Sequence, residues 1–136
     1  MLKDNPIIVY AAECRGNLEN CTYRKRTEIT DTETAAEAFR YDCVFARYKN
    51  DYRSKENFLW SNALPMDCDN DHSDEPKDWI TPEDIDFYFA GVPHIIHFSR
   101  HHMKWKDDKS PRPRFHVAFL IDPMTSEPEY AKFKEK

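Results

Sequence analysis

Residues 63–71 read ALPMDCDND, an apolar run that ends in three carboxylates spaced two residues apart, Asp67, Asp69 and Asp71. In a strand over residues 64–69, side chains two apart share a face, so Asp67 and Asp69 stand about 6 to 7 Å apart at Cα. Met66 and Cys68 then point the other way, into a core. A fold sets two like charges side by side only with a counter-charge between them, and a divalent ion is one candidate. The plain alternative is an acidic turn that follows a strand.

A second stretch bears on that choice. Residues 111–121 read PRPRFHVAFLI, and alternation puts Phe115, Val117, Phe119 and Ile121 on one face with Arg112, Arg114, His116 and Ala118 on the other. Two arginines and a histidine in register make an anion surface. Residues 100–116 hold six Lys or Arg against two Asp, whereas residues 67–86 hold nine acids against Lys77 alone. An acidic patch suited to Mg²⁺ or Mn²⁺, followed by a basic strand suited to phosphates, is the pairing that phosphoryl and nucleotidyl transfer need.

At 136 residues the chain fits a single domain with a real core, and 14% aromatics with only two glycines favour a packed body over a disordered one. No apolar run is long enough for a transmembrane helix, and the start MLKDNPIIVYAAE has the wrong flanks for a signal peptide. A cytoplasmic protein without a membrane partner is expected, with Cys14, Cys21, Cys43 and Cys68 reduced. The net charge of −5 disfavours generic coating of nucleic acid, leaving room only for a local basic strip.

Along the chain, residues 6–12 read as a first strand and residues 14–25 as a loop with the basic run Arg24, Lys25, Arg26. Thr30 with Glu33 gives a capping-box pattern before a short helix over residues 35–42, with Ala36 and Phe39 inward. Residues 43–48 read as a strand. The polar loop over residues 49–57 carries Lys49, Tyr52, Arg53 and Lys55, a mixture that either touches nucleic acid or is simply solvated. Residues 70–78 are too acidic and turn-rich for an element. Thr81-Pro82-Glu83-Asp84 is a helix start, Gly91 a stop, and Ile85, Tyr88 and Phe89 the expected buried face. Strands over residues 92–99 and 112–121 follow, joined by a loop with His101, His102, Lys104 and Lys106 that is either a solvated hairpin tip or a phosphate grip. Ser126 caps a last helix from Pro128, which the chain leaves in mid-element, so a longer protein is expected.

Three other metal readings are weaker. Asp67, Asp69, Asp71 and Asp78 match a calcium loop at positions one, three, five and twelve, but His72 replaces the glycine at position six and Pro65 stands where a helix is required. Cys14 and Cys21 lie outside the tight spacing of a zinc ribbon, and no second close pair follows. His94 and His97 in HIIH are three apart in a strand, face opposite sides, and cannot grip one ion together.

Taken together, the residues resemble the archaeo-eukaryotic primase superfamily, in its primase-polymerase branch of plasmids, phages and integrative elements. Its Asp-x-Asp strand end is matched by Asp67 and Asp69 in PMDCDND, and its basic or small residue two before a histidine by Arg114 and His116. A Ser-Arg-x-His-Met segment with a basic loop between them is matched by HFSRHHMKWKDDKSPRPRFH, residues 97–116. The resemblance implies an α+β fold: a mixed or antiparallel sheet with helices on one face, forming part of an RRM-like catalytic core that continues beyond residue 136. It implies nucleotidyl transfer in replication of a mobile element, with Asp67 and Asp69 binding Mg²⁺ or Mn²⁺ and His116 joining them in catalysis. Nucleotide contact falls to His116 with Arg114, Arg112 and Arg100, and DNA contact to Lys49, Tyr52, Arg53 and Lys104. Nucleoside triphosphates, a DNA template and a helicase domain are the implied partners. The family's third carboxylate has no match, since Asp122 beside Pro123 is a poor substitute, and so activity is expected of the longer protein and little of these residues alone. The rival expectations are a non-catalytic nucleic-acid-binding module of a replication initiator, using residues 100–114, and a metal-dependent nuclease.

Overall fold

The computed structural model describes residues 2–134. The fold is α+β with antiparallel strand pairs, and its contacts divide it into two compact units, residues 1–64 with 119–136 and residues 65–118. Two long strands, β5 (Phe58–Cys68) and β7 (Phe115–Met124), contribute to both units. They are neighbours in a four-stranded sheet ordered β4-β5-β7-β6, where β4 is Arg47–Tyr48 and β6 is His94–Phe98.

In the first unit, β1 (Ile7–Ala11) is the centre of a three-stranded sheet ordered β2-β1-β3. All five of its residues are buried, as an apolar run with β-branched residues allows when both faces are covered. β2 (Lys25–Ile29) pairs with it antiparallel, Ile7 opposite Ile29 and Ala11 opposite Lys25. The basic run read as loop is therefore an edge strand. Its charges stay in water and only Ile29 is buried, which also discourages pairing with a further strand. The expected strand over residues 43–48 is two short ones, β3 (Cys43–Val44) on β1 and β4 on β5.

Helix α1 (Thr32–Ala38) starts one residue later than the capping box suggests: Asp31 accepts from Thr34 N at 2.8 Å and Thr34 Oγ1 accepts from Asp31 N at 3.1 Å. The frame moves with the cap, so Ala35 and Ala38 are buried and Ala36 is exposed. Asn62 is buried with both ends of its amide used, accepting from Ile8 N at 3.1 Å and donating to Pro6 O at 2.8 Å. Tyr130, on α3 (Glu127–Lys134), stacks on Phe58 and donates to Ala63 O at 2.7 Å.

The second unit is built around the loop that follows β5. Asn70 is buried with φ at 58°, a left-handed conformation that asparagine tolerates better than most residues. Its side chain donates to Ile80 O and Pro113 O and accepts from Ile80 N, at 2.7–2.9 Å. Helix α2 (Pro82–Tyr88) has the expected Thr81 cap, reciprocated by Asp84. Of its expected apolar face only Ile85 is buried; Tyr88 is 75% and Phe89 41% exposed, because two turns bring a single residue under cover. β6 follows, then an irregular connection to β7.

Candidate functional site

β5 ends in the second unit, and alternation carries Asp67 out into solvent with Asp69 just past the strand. Burial holds the Cys68 thiol above its ordinary range, while Met66, expected inside, is exposed. On β7, Phe115 and Val117 are buried and His116 between them is exposed. Because β5 and β7 are neighbours, His116 Nδ1 meets Asp67 Oδ1 directly. That contact fixes the tautomer: Nδ1 carries the proton it donates to the carboxylate, and Nε2 is the nitrogen left for a ligand. The His97 ring stacks on that of His116, with centroids 6.0 Å apart.

These groups open on one hollow. It is lined by Asp67, Asp69 and His116 together with Ser99, Lys106 and Arg114. The acidic edge and the imidazole edge thus face the same space.

The two arginines that precede β7 have different fates. Arg112 is 0% exposed, and each of its five N–H groups has a partner. Nη1 donates to Asn70 O and Ser73 O, both at 2.9 Å; Nη2 donates to Asp74 at 2.9 Å and to Ser110 Oγ at 3.2 Å; Nε donates to Ser110 O at 3.1 Å. Its guanidinium lies 5.1 Å from the Trp79 ring centroid. The expectation that Arg112 contacts nucleotide is corrected: all its donors are spent within the fold, three on the acidic loop and two on Ser110.

Arg114 is 2% exposed and lines the hollow. Its Nη1 lies 2.7 Å from Asp71 Oδ1, an ion pair. Among the described residues, its Nε, Nη1 and Nη2 and the Asp71 oxygen are buried atoms with no hydrogen-bond partner. Partial burial pushes the Asp71 carboxyl up, but the Arg114 guanidinium, with Lys109 and Lys106, more than offsets this and holds it below its ordinary value. A buried guanidinium in a residue that lines the hollow puts positive charge beside it, which favours an anionic ligand.

The other expected residues are scattered. Arg100 and Lys104 are exposed in the loop after β6 and do not line the hollow. Lys49, Tyr52 and Arg53 are exposed in the first unit, where Arg53 lies 5.5 Å from the Tyr23 ring. His94 is bound to Asp86 and Val92 O, both at 2.8 Å, and so does not share a ligand set with His97. Asp122 is exposed on the part of β7 in the first unit. Of the loop read as either a solvated tip or a phosphate grip, Lys106 lines the hollow; sequence reading passed over Ser99 as a lining group and Asp71 as the partner of Arg114, although the third carboxylate of ALPMDCDND was a signal for the latter.

Among the described residues no three His, Cys, Asp or Glu come together as a metal-binding group, Asp67, Asp69 and His116 included. The donor chemistry of Asp67 and Asp69 does fit Mg²⁺ or Mn²⁺, hard ions that use one or two carboxylates and complete their shell with water and substrate phosphate. No helix among the described residues is long and apolar enough to cross a membrane. The chain matches no protein-family model, no curated protein and no solved structure.

Proposed function

We propose that the hollow between Asp67 and His116 binds a nucleoside triphosphate with Mg²⁺ or Mn²⁺, and that the chain contributes this site to a primase-polymerase that copies a DNA template in replication of a mobile element. The observation that carries the reading is Arg114: a buried cation, paired with Asp71 at 2.7 Å, in a residue that lines a hollow with two carboxylates and a histidine. Its charge would favour phosphate oxygens in that hollow. Asp67 and Asp69 would hold the divalent ion, which, when bound, lowers the pKa of an attacking hydroxyl and offsets charge on the pyrophosphate that leaves. His116, kept in one tautomer by Asp67, would present Nε2 to a phosphate oxygen, and Lys106 would add charge at the same wall. The site would belong to an RRM-like core, with a helicase domain as partner.

The test is a titration with a fluorescent triphosphate, with and without Mn²⁺. Affinity should rise with the metal and fall at least tenfold in Asp67→Asn and Arg114→Ala. Metal-independent binding, or binding that survives both substitutions, overturns the proposal. DNA cleavage without nucleotide would point instead to a nuclease, which has no use for Arg114.

A further inference from the structure

Residues 99–114 connect β6 to β7, and the connection is held in a fixed shape. Ser99 N donates to Arg114 O at 3.0 Å, Met103 N to Arg112 O at 2.9 Å and Arg114 N to His102 Nδ1 at 3.1 Å. The Phe98 and His102 rings are 4.3 Å apart. Lys106 and Lys109 exchange backbone hydrogen bonds of 3.2 and 2.9 Å across a turn made by Asp107 and Asp108.

This pinned segment leaves large apolar side chains in water: Trp105 is 66%, Met103 53% and Phe98 51% exposed. Arg100, Lys104 and Lys106 alternate with them in sequence and are exposed as well. The two acids of the segment are confined to the turn. In a chain of net charge −5, a rigid loop that displays an indole between two lysines is a local exception to both the charge and the burial pattern. Phosphates complement the cations, and base faces complement the rings. Duplex DNA hides its base faces in the stack, so the complement is a single strand. The loop is also continuous with the hollow, because Lys106 lines it.

We propose that the loop from Phe98 to Lys106 is a stacking platform for single-stranded nucleic acid, with Trp105 as its principal base contact and Arg100 and Lys104 on the phosphates. It rests on the nucleotide reading only in naming a strand that lies beside the same site; its own binding needs no divalent ion. A backbone already held in shape costs little further entropy when a base docks, which is why a pinned loop suits the role.

The experiment measures fluorescence anisotropy of labelled dT₂₀ and U₂₀ in EDTA, against Trp105→Ala, Trp105→Phe and the double variant Arg100→Ala/Lys104→Ala, each checked for folding by circular dichroism. Trp105→Ala should weaken binding of both strands about fivefold or more, and Trp105→Phe should keep most of the affinity. The double variant should lower the slope of log affinity against log salt by roughly 1.4. A chain that binds neither strand, that prefers duplex, or that binds equally well after Trp105→Ala overturns the platform; so does loss of self-association as the sole effect of Trp105→Ala. Triphosphate binding in Mn²⁺, measured on the same proteins, keeps the two readings apart. Trp105→Ala should leave it unchanged, whereas Asp67→Asn should weaken it at least tenfold and leave dT₂₀ binding in EDTA intact.

Discussion

His116 on β7 and Asp67 on β5 are 49 residues apart in sequence and meet as a hydrogen-bonded pair at the mouth of the hollow. Both side chains are substantially exposed, His116 by 49% and Asp67 by 78%, so the pair contributes little to folding. Exposed ion pairs are worth about 1 kcal/mol or less. A strand face that carries a carboxylate and an imidazole in water, above buried Phe115 and Val117, is organised for a ligand more than for stability.

Asp67→Asn and His116→Ala should therefore shift the urea midpoint only slightly. Their effect should appear in triphosphate affinity, with Asp67→Asn losing the Mn²⁺ dependence and His116→Ala retaining a weakened form of it. Thermal or urea melts set beside the nucleotide titration check the division. A large loss of stability in either variant would mean that the pair is structural.

Arg112 has the opposite signature. Arg112→Ala leaves the carbonyl of Asn70 without its donor in a buried place, while Ser73 O keeps the Trp79 indole N–H, at a cost of about 2 kcal/mol or more. Arg112→Lys should recover only part of that, since an ammonium lacks the planar fork that reaches Asn70, Ser73, Asp74 and Ser110 at once. Asp74→Asn should cost little, because that carboxylate is 87% exposed. Urea denaturation of the three variants gives the order.

The Asp71 carboxyl titrates below its ordinary value of 3.8 in the folded chain, because the guanidinium of Arg114 outweighs the effect of partial burial. A depressed folded value contributes stability that is present above the unfolded value and lost as pH falls through the folded one. The urea midpoint should thus drop as pH is lowered from about 5 towards 2. Asp71→Asn should be less stable near neutrality and should flatten that part of the profile. An unchanged acid slope would show that the contact with Arg114 is not formed in solution.

Burial pushes the Cys43 thiol up to about 12 from its ordinary 9.0. Because the thiolate is the reactive form, Cys43 should be alkylated on the order of 1000-fold more slowly than an ordinary thiol at pH 8 while the chain is folded. The sign for stability is the reverse of that for Asp71. The contribution is whole below pH 9 and lost as pH rises towards 12, because only the unfolded chain releases the proton in that range. Mass spectrometry of the four cysteines after timed iodoacetamide treatment, with and without urea, reads the difference.

Local pattern was enough for much of this chain. The apolar β-branched run of β1, the Thr81-Pro82 start of α2 and the alternation that buries Phe115 and Val117 around His116 are settled by neighbours a few residues away. So is the outward direction of Asp67, since a strand repeats every two residues, although Met66 beside it is exposed as well. β2 escaped notice because an edge strand gains its place from backbone pairing with β1, and its charged side chains leave no apolar signature. Ala36 and Tyr88 were assigned inward from helical spacing alone, yet in a helix of only two turns the packing partner decides which residue is covered. The arginines show the same limit most clearly. Charge and spacing identified Arg112 and Arg114 as anion ligands, but only the folded path of residues 70–74 decides that Arg112 spends three donors on that loop, its other two going to Ser110, while Arg114 pairs with Asp71 beside the hollow. A sequence states which hydrogen-bonding groups a chain carries; which of them are used up depends on segments some forty residues distant, and that is decided when those segments come together in the fold.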